Sequence, residues 1–234
     1  MDIFQTVILA FIQGLTEFLP VSSSAHLVIF PKFFDWPDQG LAFDVVLHFA
    51  SLCAVVIYYR ASIVSLTQDF FSSIPTRKMQ GDSVLAWGVL LGTIPVGLAG
   101  LFFNDYVEMN LRSFEVVAYA TIFFGLALGL SDLVHRVRGI NRELIGGSDI
   151  LIVGCAQALA LIPGTSRAGI TITAALLIGL SRKLSIKFAF LLSIPVISLA
   201  TLMKLFELSN QSQPVNWLLL LFGFAIAFLT SYFT

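Results

Sequence analysis

An all-α polytopic membrane protein with an inverted-topology repeat is the fold class this sequence predicts, and three observations predict it. The chain of 234 residues is 57% hydrophobic and 12% charged, with a mean hydropathy of +0.91, whereas soluble domains carry about 25% charged residues. Several apolar runs reach the ~20 residues a bilayer-crossing helix needs. Two further runs are each broken by a proline and a hydroxyl cluster, Pro20-Val21-Ser22-Ser23-Ser24 and Pro163-Gly164-Thr165-Ser166-Arg167. Spans must be helical because lipid-exposed backbone has to satisfy its own hydrogen bonds. A β-barrel would read as short alternating segments, and the sequence has none.

The first broken run, over residues 3–30, holds Gln13, Glu17, Ser22, Ser23, Ser24 and His26 in an otherwise apolar stretch. Full-length spans are predicted at Leu41–Tyr59, Val84–Phe103 and Phe114–Val134, with polar connections between them. The second broken run covers 149–181, and spans at Phe188–Leu205 and from Trp217 onward follow it. Two repeat units result, residues 1–135 with three spans and 149–234 with two, so the second is expected to lack a last helix. Cys53 and Cys155 fall in apolar runs and read as small hydrophobes. Asp2, with no basic residues near it, argues against a cleaved signal peptide.

Charge sets the expected orientation. Arg60, Arg77 and Lys78, then Arg136, Arg138 and Arg142, then Arg182, Lys183 and Lys187 cluster in three connections. The connections at Lys32, Arg112 and Lys204 carry one basic residue each, among Asp35, Asp38, Asp105, Glu108 and Glu207. By the positive-inside rule the first three are cytoplasmic and the others external. Both ends of 149–181 are then cytoplasmic and both ends of 3–30 external. Two re-entrant helical hairpins entering from opposite faces are expected to meet near mid-membrane, where irregular backbone lines a shared cavity.

Ionisable residues within such segments are costly and mark function. Gln13 and Glu17, four apart, project from one helix face; they either satisfy each other in a bundle, or Glu17 binds a divalent cation or orients His26. His26 is a candidate nucleophile, or the base for a serine or water. His48 reads as structural beside Asp44, and His135 sits in a basic loop. Arg167 needs an anionic partner, which is either Glu17 or a phosphate matching its planar fork. Thr165 and Ser166 precede it at a helix start, whose free N–H groups favour an anion. Hydroxyls, Arg, His and Glu together have the composition of a phosphate site.

The pattern Gln13-x-x-x-Glu17, the run from Pro20 through Ser23 to His26, and Pro163-Gly164-Thr165-Ser166-Arg167 resemble the undecaprenyl-diphosphate phosphatase family, whose members are associated with bacitracin resistance. The resemblance covers nearly the whole chain. It implies Glu17, His26 and Arg167 as essential residues, with Ser23 and Gln13 assisting; the family's pattern admits Glu or Gln at Gln13. Ala25 and Ala168 replace a common Gly and Ser. It further implies a chain longer by about one C-terminal helix, a bacterial plasma (inner) membrane location and a polyprenyl diphosphate lipid as substrate; the charge bias alone makes the active face external, periplasmic. Arg167 would clamp the diphosphate, with Ser22, Ser23, Ser24, Thr165 and Ser166 donating hydrogen bonds. Glu17 with Gln13 would hold Mg²⁺ or Ca²⁺, or tune His26. The nucleophile is His26 or Ser23. A homodimer is compatible with the sequence, and no nucleic-acid partner is implied.

Two rival readings stand beside this one. A second lipid-phosphatase superfamily needs a His after its Ser-Arg pair, and no His follows Arg167. A transporter or flippase of the polyprenyl phosphate lipid is the stronger rival, because broken helices at the midplane also build transport sites. Phosphate release in detergent separates it from a phosphatase.

Overall fold

The computed structural model describes residues 1–79, 81–111, 113–209 and 216–234. Arg112, used in the charge argument, lies outside them, as do the side chains of Asp105, Glu108 and Glu207. The described residues are helical throughout: α1 (Ile3–Thr16), α2 (Ser23–Phe33), α3 (Leu41–Tyr58), α4 (Arg60–Thr76), α5 (Ser83–Asn110), α6 (Phe114–Arg138), α7 (Gly147–Ala158), a 3₁₀ turn (Leu159–Leu161), α8 (Arg167–Leu177), α9 (Arg182–Ser209) and α10 (Trp217–Phe233). Four of these, α3, α5, α6 and α9, are long and apolar enough to cross a membrane. At 17 residues, α10 is about 26 Å long, near the lower limit for a crossing.

Helix α4 stands where the sequence reading placed a polar connection. Its inward face is narrow: Ile63, Leu66 and Phe70 reach the core at i, i+3 and i+7, while most other positions are exposed. A stripe of three apolar residues among Gln68, Asp69 and several hydroxyls is a weak helical signal.

Both broken runs contain two short helices around a turn. The first bends between α1 and α2, where Ser22 holds φ +62°. The second bends between the 3₁₀ turn and α8, where Gly164 holds φ +94°. A Cβ on Gly164 would run into the Val117 carbonyl of α6, and Thr121 on the same helix donates its hydroxyl to the Gly164 carbonyl at 3.1 Å. Glycine is therefore required at that turn for both conformation and space.

The ends of the second run are tied together by Arg142. Its guanidinium makes a two-pronged contact with Asp149 on α7 at 2.8 and 3.1 Å and donates to the Ile178 carbonyl after α8 at 2.9 Å. Its backbone exchanges bonds with Gly179 and Ser181. Arg182 and Arg136 meet Asp132 nearby at 2.6 and 2.8 Å, so the basic residues gather at one end of the bundle. Because one side chain joins three segments, Arg142→Ala is expected to lower Tm by roughly 2–4 °C. Arg142→Lys should recover little of it, because an ammonium lacks the planar fork; thermal unfolding in detergent is the check.

Packing divides into two apolar groups. Leu9, Ala10, Phe43, Leu47 and Ala227 join α1, α3 and α10, and Ile150, Val153, Ala175, Phe188 and Leu192 join α5, α7, α8 and α9. A small cluster of Phe18, Leu52, Val55 and Ile197 bridges them at α3 and α9. Helix α10 lies so close to α1 that a Cβ on Gly14 would stand 2.7 Å from the Ala227 carbonyl. Ser231 there donates to the Gly14 carbonyl at 3.2 Å and shares a 2.8 Å bond with Ser51 of α3.

Candidate active site

Glu17 terminates α1, with its backbone N–H bonded to the Gln13 carbonyl at 3.0 Å, and Arg167 opens α8. Each stands at the end of its helix where the dipole opposes its charge. Such an arrangement costs stability unless opposite charge is brought to it. The fold does so: Arg167 Nη2 faces Glu17 Oε1 at 3.7 Å, with the Glu17 side chain only 4% exposed and that of Arg167 25%. A committed charge-assisted bond would be about 2.7–2.9 Å long, so the guanidinium is held near Glu17 while keeping donors for another anion.

The other Glu17 oxygen is crowded with donors. Oε2 accepts from Gln13 Nε2 at 2.8 Å and from Ser23 Oγ at 2.5 Å. His48 Nε2 stands 3.7 Å away. Gln13 is fully buried, and its Oε1 has no hydrogen-bond partner. Ser23 is the first residue of α2, so the bend after Glu17 is what folds its hydroxyl back onto the carboxylate six residues earlier.

His26 is oriented by backbone rather than by Glu17. Its Nδ1 lies 2.8 Å from the Ser22 carbonyl; a carbonyl only accepts, so Nδ1 carries the proton and Nε2 keeps the lone pair. The ring stacks on Phe30. Ser22 and Ser24 share a hydroxyl contact at 3.3 Å. In the second run, Ser166 caps α8 by accepting from Gly169 N at 3.1 Å, which leaves its hydroxyl proton free to donate. The Thr165 hydroxyl is buried without a partner. The two bends touch: Pro20 lies 3.5 Å from where a Cβ on Gly169 would stand, and both line a small crevice with Ser166.

Gln13, Glu17, Ser23 and Arg167 thus form one contact network, with the serine turn and the Thr165-Ser166 turn around it. His48, read from sequence as a structural residue beside Asp44, belongs to this network. Its Nδ1 does bond the Asp44 carbonyl at 2.8 Å, yet its other nitrogen faces Glu17. The spacing of His48 from Asp44 on α3 gives the first of these contacts; the second depends on how α3 packs against α1. A cavity of about 250 Å³ opens here, walled by Ser24, Asp44, His48, Arg167 and Lys204 among apolar residues. A second cavity, about 270 Å³, lies among Ile63, Phe70 and Leu191 and is apolar, with none of these groups in its wall.

A divalent cation fits the donor set in one mode. Among the described residues no three His, Cys, Asp or Glu side chains cluster as a metal cage. The Glu17 carboxylate and the orphaned Gln13 Oε1 nevertheless offer oxygens of the kind Mg²⁺ takes when phosphate and water complete its shell.

The network and the cavity can bind an anionic head group beside apolar walls and set a hydroxyl against a carboxylate. The family model described as bacitracin resistance protein BacA matches residues 6–234. An undecaprenyl-diphosphatase of Ruthia magnifica subsp. Calyptogena magnifica is 56% identical over 234 residues, covering 100% of this chain and 88% of the relative. One from Vesicomyosocius okutanii subsp. Calyptogena okutanii is 55% identical, covering 100% and 89%. Undecaprenyl-diphosphatase 2 of Stutzerimonas stutzeri is 51% identical, covering 99% and 87%. With a match of that extent, the chain belongs to the BacA bacitracin resistance protein family.

Proposed function

We propose that this protein is an integral membrane undecaprenyl-diphosphate phosphatase. It removes the terminal phosphate of a polyprenyl diphosphate and returns the monophosphate carrier lipid used in cell-wall synthesis, the activity that bacitracin resistance draws on. The observation that carries this reading is the junction at Glu17, where Ser23 from one broken run and Arg167 from the other meet a single carboxylate. A phosphate held by Arg167 lies within reach of a hydroxyl already aimed at a base. A transport site needs no such hydroxyl–carboxylate pair.

Phosphoryl transfer needs positioning and charge neutralisation more than covalent help. Arg167 and the α8 N-terminus hold the terminal phosphate, with Ser166 and Thr165 donating. Ser23 Oγ attacks the terminal phosphorus as its proton passes to Glu17 Oε2. The Oγ–P bond forms while the bond from phosphorus to the bridging oxygen breaks, and the lipid monophosphate leaves. Water, deprotonated by His26 Nε2, then attacks the phosphorus; the Oγ–P bond breaks as Glu17 returns its proton to Ser23 Oγ, and inorganic phosphate leaves with the proton from His26. A second reading makes His26 Nε2 itself the nucleophile, favoured by the lone pair that the Ser22 carbonyl forces onto that nitrogen. Mg²⁺ or Ca²⁺ bound by Glu17 and Gln13 would neutralise phosphate charge.

The surrounding architecture supports two re-entrant hairpins in inverted repeats over 1–135 and 149–234. Helix α1 packs on α10 through Gly14, and α7 packs on α5 with Gly154 against the Gly92 backbone, so each broken run leans on a helix of the other unit. The charge bias supports an external orientation for the cavity in the inner membrane.

Purified protein is expected to release phosphate from a polyprenyl diphosphate, and less of it after chelation of divalent cations. Ser23→Ala and His26→Ala should each lose about 10²–10⁴-fold. A phosphoenzyme trapped by acid quench that survives acid supports Ser23 as the nucleophile; an acid-labile one supports His26. A wild-type protein that releases no phosphate while moving lipid across vesicles would restore the transporter.

A further inference from the structure

We propose that His48 is a metal ligand, the nitrogen donor that joins Glu17 and Gln13 around the divalent cation and turns the site toward a transition ion such as Mn²⁺ rather than Ca²⁺. The inference rests on the phosphatase reading for the phosphate oxygens that complete the shell.

The histidine is held in the form a ligand needs. Its Nδ1 lies 2.8 Å from the Asp44 carbonyl, one turn earlier on α3. A carbonyl only accepts, so Nδ1 carries the proton and Nε2 presents a lone pair. Metal-bound histidines are oriented in the same way, by a carbonyl or carboxylate that takes the proton of the other ring nitrogen. The free nitrogen meets a carboxylate. Nε2 stands 3.7 Å from Glu17 Oε2, beyond the reach of a hydrogen bond, which ends at about 3.2 Å. Two acceptors without a proton between them repel, and a cation between them replaces the repulsion with two bonds. Ligands about 2.1 Å from one ion stand roughly 3.0–3.7 Å apart at bond angles of about 90–120°, so the gap already has the width of a shared ion.

The Gln13 amide is the third donor. Its Nε2 gives a hydrogen to the same Glu17 oxygen at 2.8 Å, while its Oε1 is buried with no partner. Turning the amide over places Oε1 beside Glu17 Oε2 and frees the lone pair that Nε2 occupied, with Ser23 still bonded to that oxygen. Position ties the set to the substrate. Glu17 is 4% exposed and His48 25%, and His48 lines the cavity with Ser24 and Arg167. An ion at His48 therefore has a buried carboxylate on one side and the phosphate-binding cavity on the other. Three protein ligands leave positions for phosphate and water. Arg167 faces the other Glu17 oxygen, Oε1, so guanidinium and cation engage separate oxygens. An imidazole nitrogen suits transition ions, whereas Ca²⁺ takes oxygens.

The test uses the full chain in detergent with Mn²⁺ and a non-hydrolysable polyprenyl methylene diphosphonate, and compares wild type with His48→Ala, His48→Gln and His26→Ala. Electron spin resonance reads the Kd of Mn²⁺, and electron spin-echo modulation reads nitrogen bound to it. Wild type should show imidazole nitrogen coupling. His48→Ala should lose it and raise the Kd of Mn²⁺ about tenfold or more, and Ca²⁺ should displace Mn²⁺ more readily from this variant than from wild type. His48→Gln offers an oxygen in place of nitrogen, so it should recover part of the affinity without the coupling; it also decides the case if His48→Ala does not fold. His26→Ala, whose imidazole has the same tautomer, should keep the coupling. Nitrogen coupling that persists in the His48 variants overturns the proposal, as does a wild type that binds no Mn²⁺ beside the analogue. Phosphate release by wild type is measured separately: release with no cation bound removes His48 as a ligand and leaves the phosphatase, whereas Mn²⁺ held by His48 without any release sinks the phosphatase reading and leaves the metal site.

Discussion

Arg167→Ala is expected to lower phosphate release by about a thousandfold or more, the largest catalytic effect in this protein. The side chain has two tasks that no neighbour can take over. It supplies the planar donor pair for the transferring phosphate, and it sets a positive charge opposite Glu17 at 3.7 Å. Removing it leaves a carboxylate that is 4% exposed without a permanent cation, next to the position of an anionic substrate. Arg167→Lys keeps the charge and loses the fork, so it should recover only a minor part of the rate. Steady-state phosphate release, read beside binding of a non-hydrolysable polyprenyl methylene diphosphonate, checks both variants. A kcat for Arg167→Ala within tenfold of wild type would remove Arg167 from the reacting centre.

Gly164→Ala carries the largest expected effect on folding, more than about 3 kcal/mol. A methyl group there meets the Val117 carbonyl and the Thr121 hydroxyl, and the backbone at φ +94° already excludes an ordinary L residue. Relief requires α6 to retreat from α8, which would pull the Thr165-Ser166 turn away from Pro20 and open the junction between the two runs. Loss of activity should therefore accompany a lower Tm. Gly97, whose added Cβ would meet nothing within 4 Å, is the control: Gly97→Ala should leave both close to wild type.

The sequence carried the parts of this molecule that are local or strongly periodic. Leu41, Phe114 and Trp217 begin helices where the apolar runs begin, because a run of that length in a charge-poor chain has no other stable form. The two bends were visible because Pro20 and Pro163 interrupt apolar helices in matched surroundings. Contact between Gln13 and Glu17 follows from spacing alone. What could not be read required tertiary placement. The approach of His48 to Glu17 depends on how α3 packs beside α1, and nothing in the residues around His48 encodes that. Lys204 reads in the sequence only as a loop charge, since the cavity it lines exists only once α3 and α9 are adjacent. His26 invited pairing with Glu17 by proximity in sequence, whereas the helical turn beginning at Ser22 claims its Nδ1 for a carbonyl four residues earlier.

The clasp between Ser231 and Gly14 spans 217 residues of chain. At a synthesis rate of about 5–20 residues per second, the helix that seats α1 emerges roughly 10–40 s after α1 itself. Throughout that interval a segment bearing Gln13, Glu17 and three serines must wait in or beside the membrane without its final neighbour. Completion of the reaction centre is thereby a late step of biogenesis, set by the translation of α10 and not by the arrival of the residues that do the chemistry.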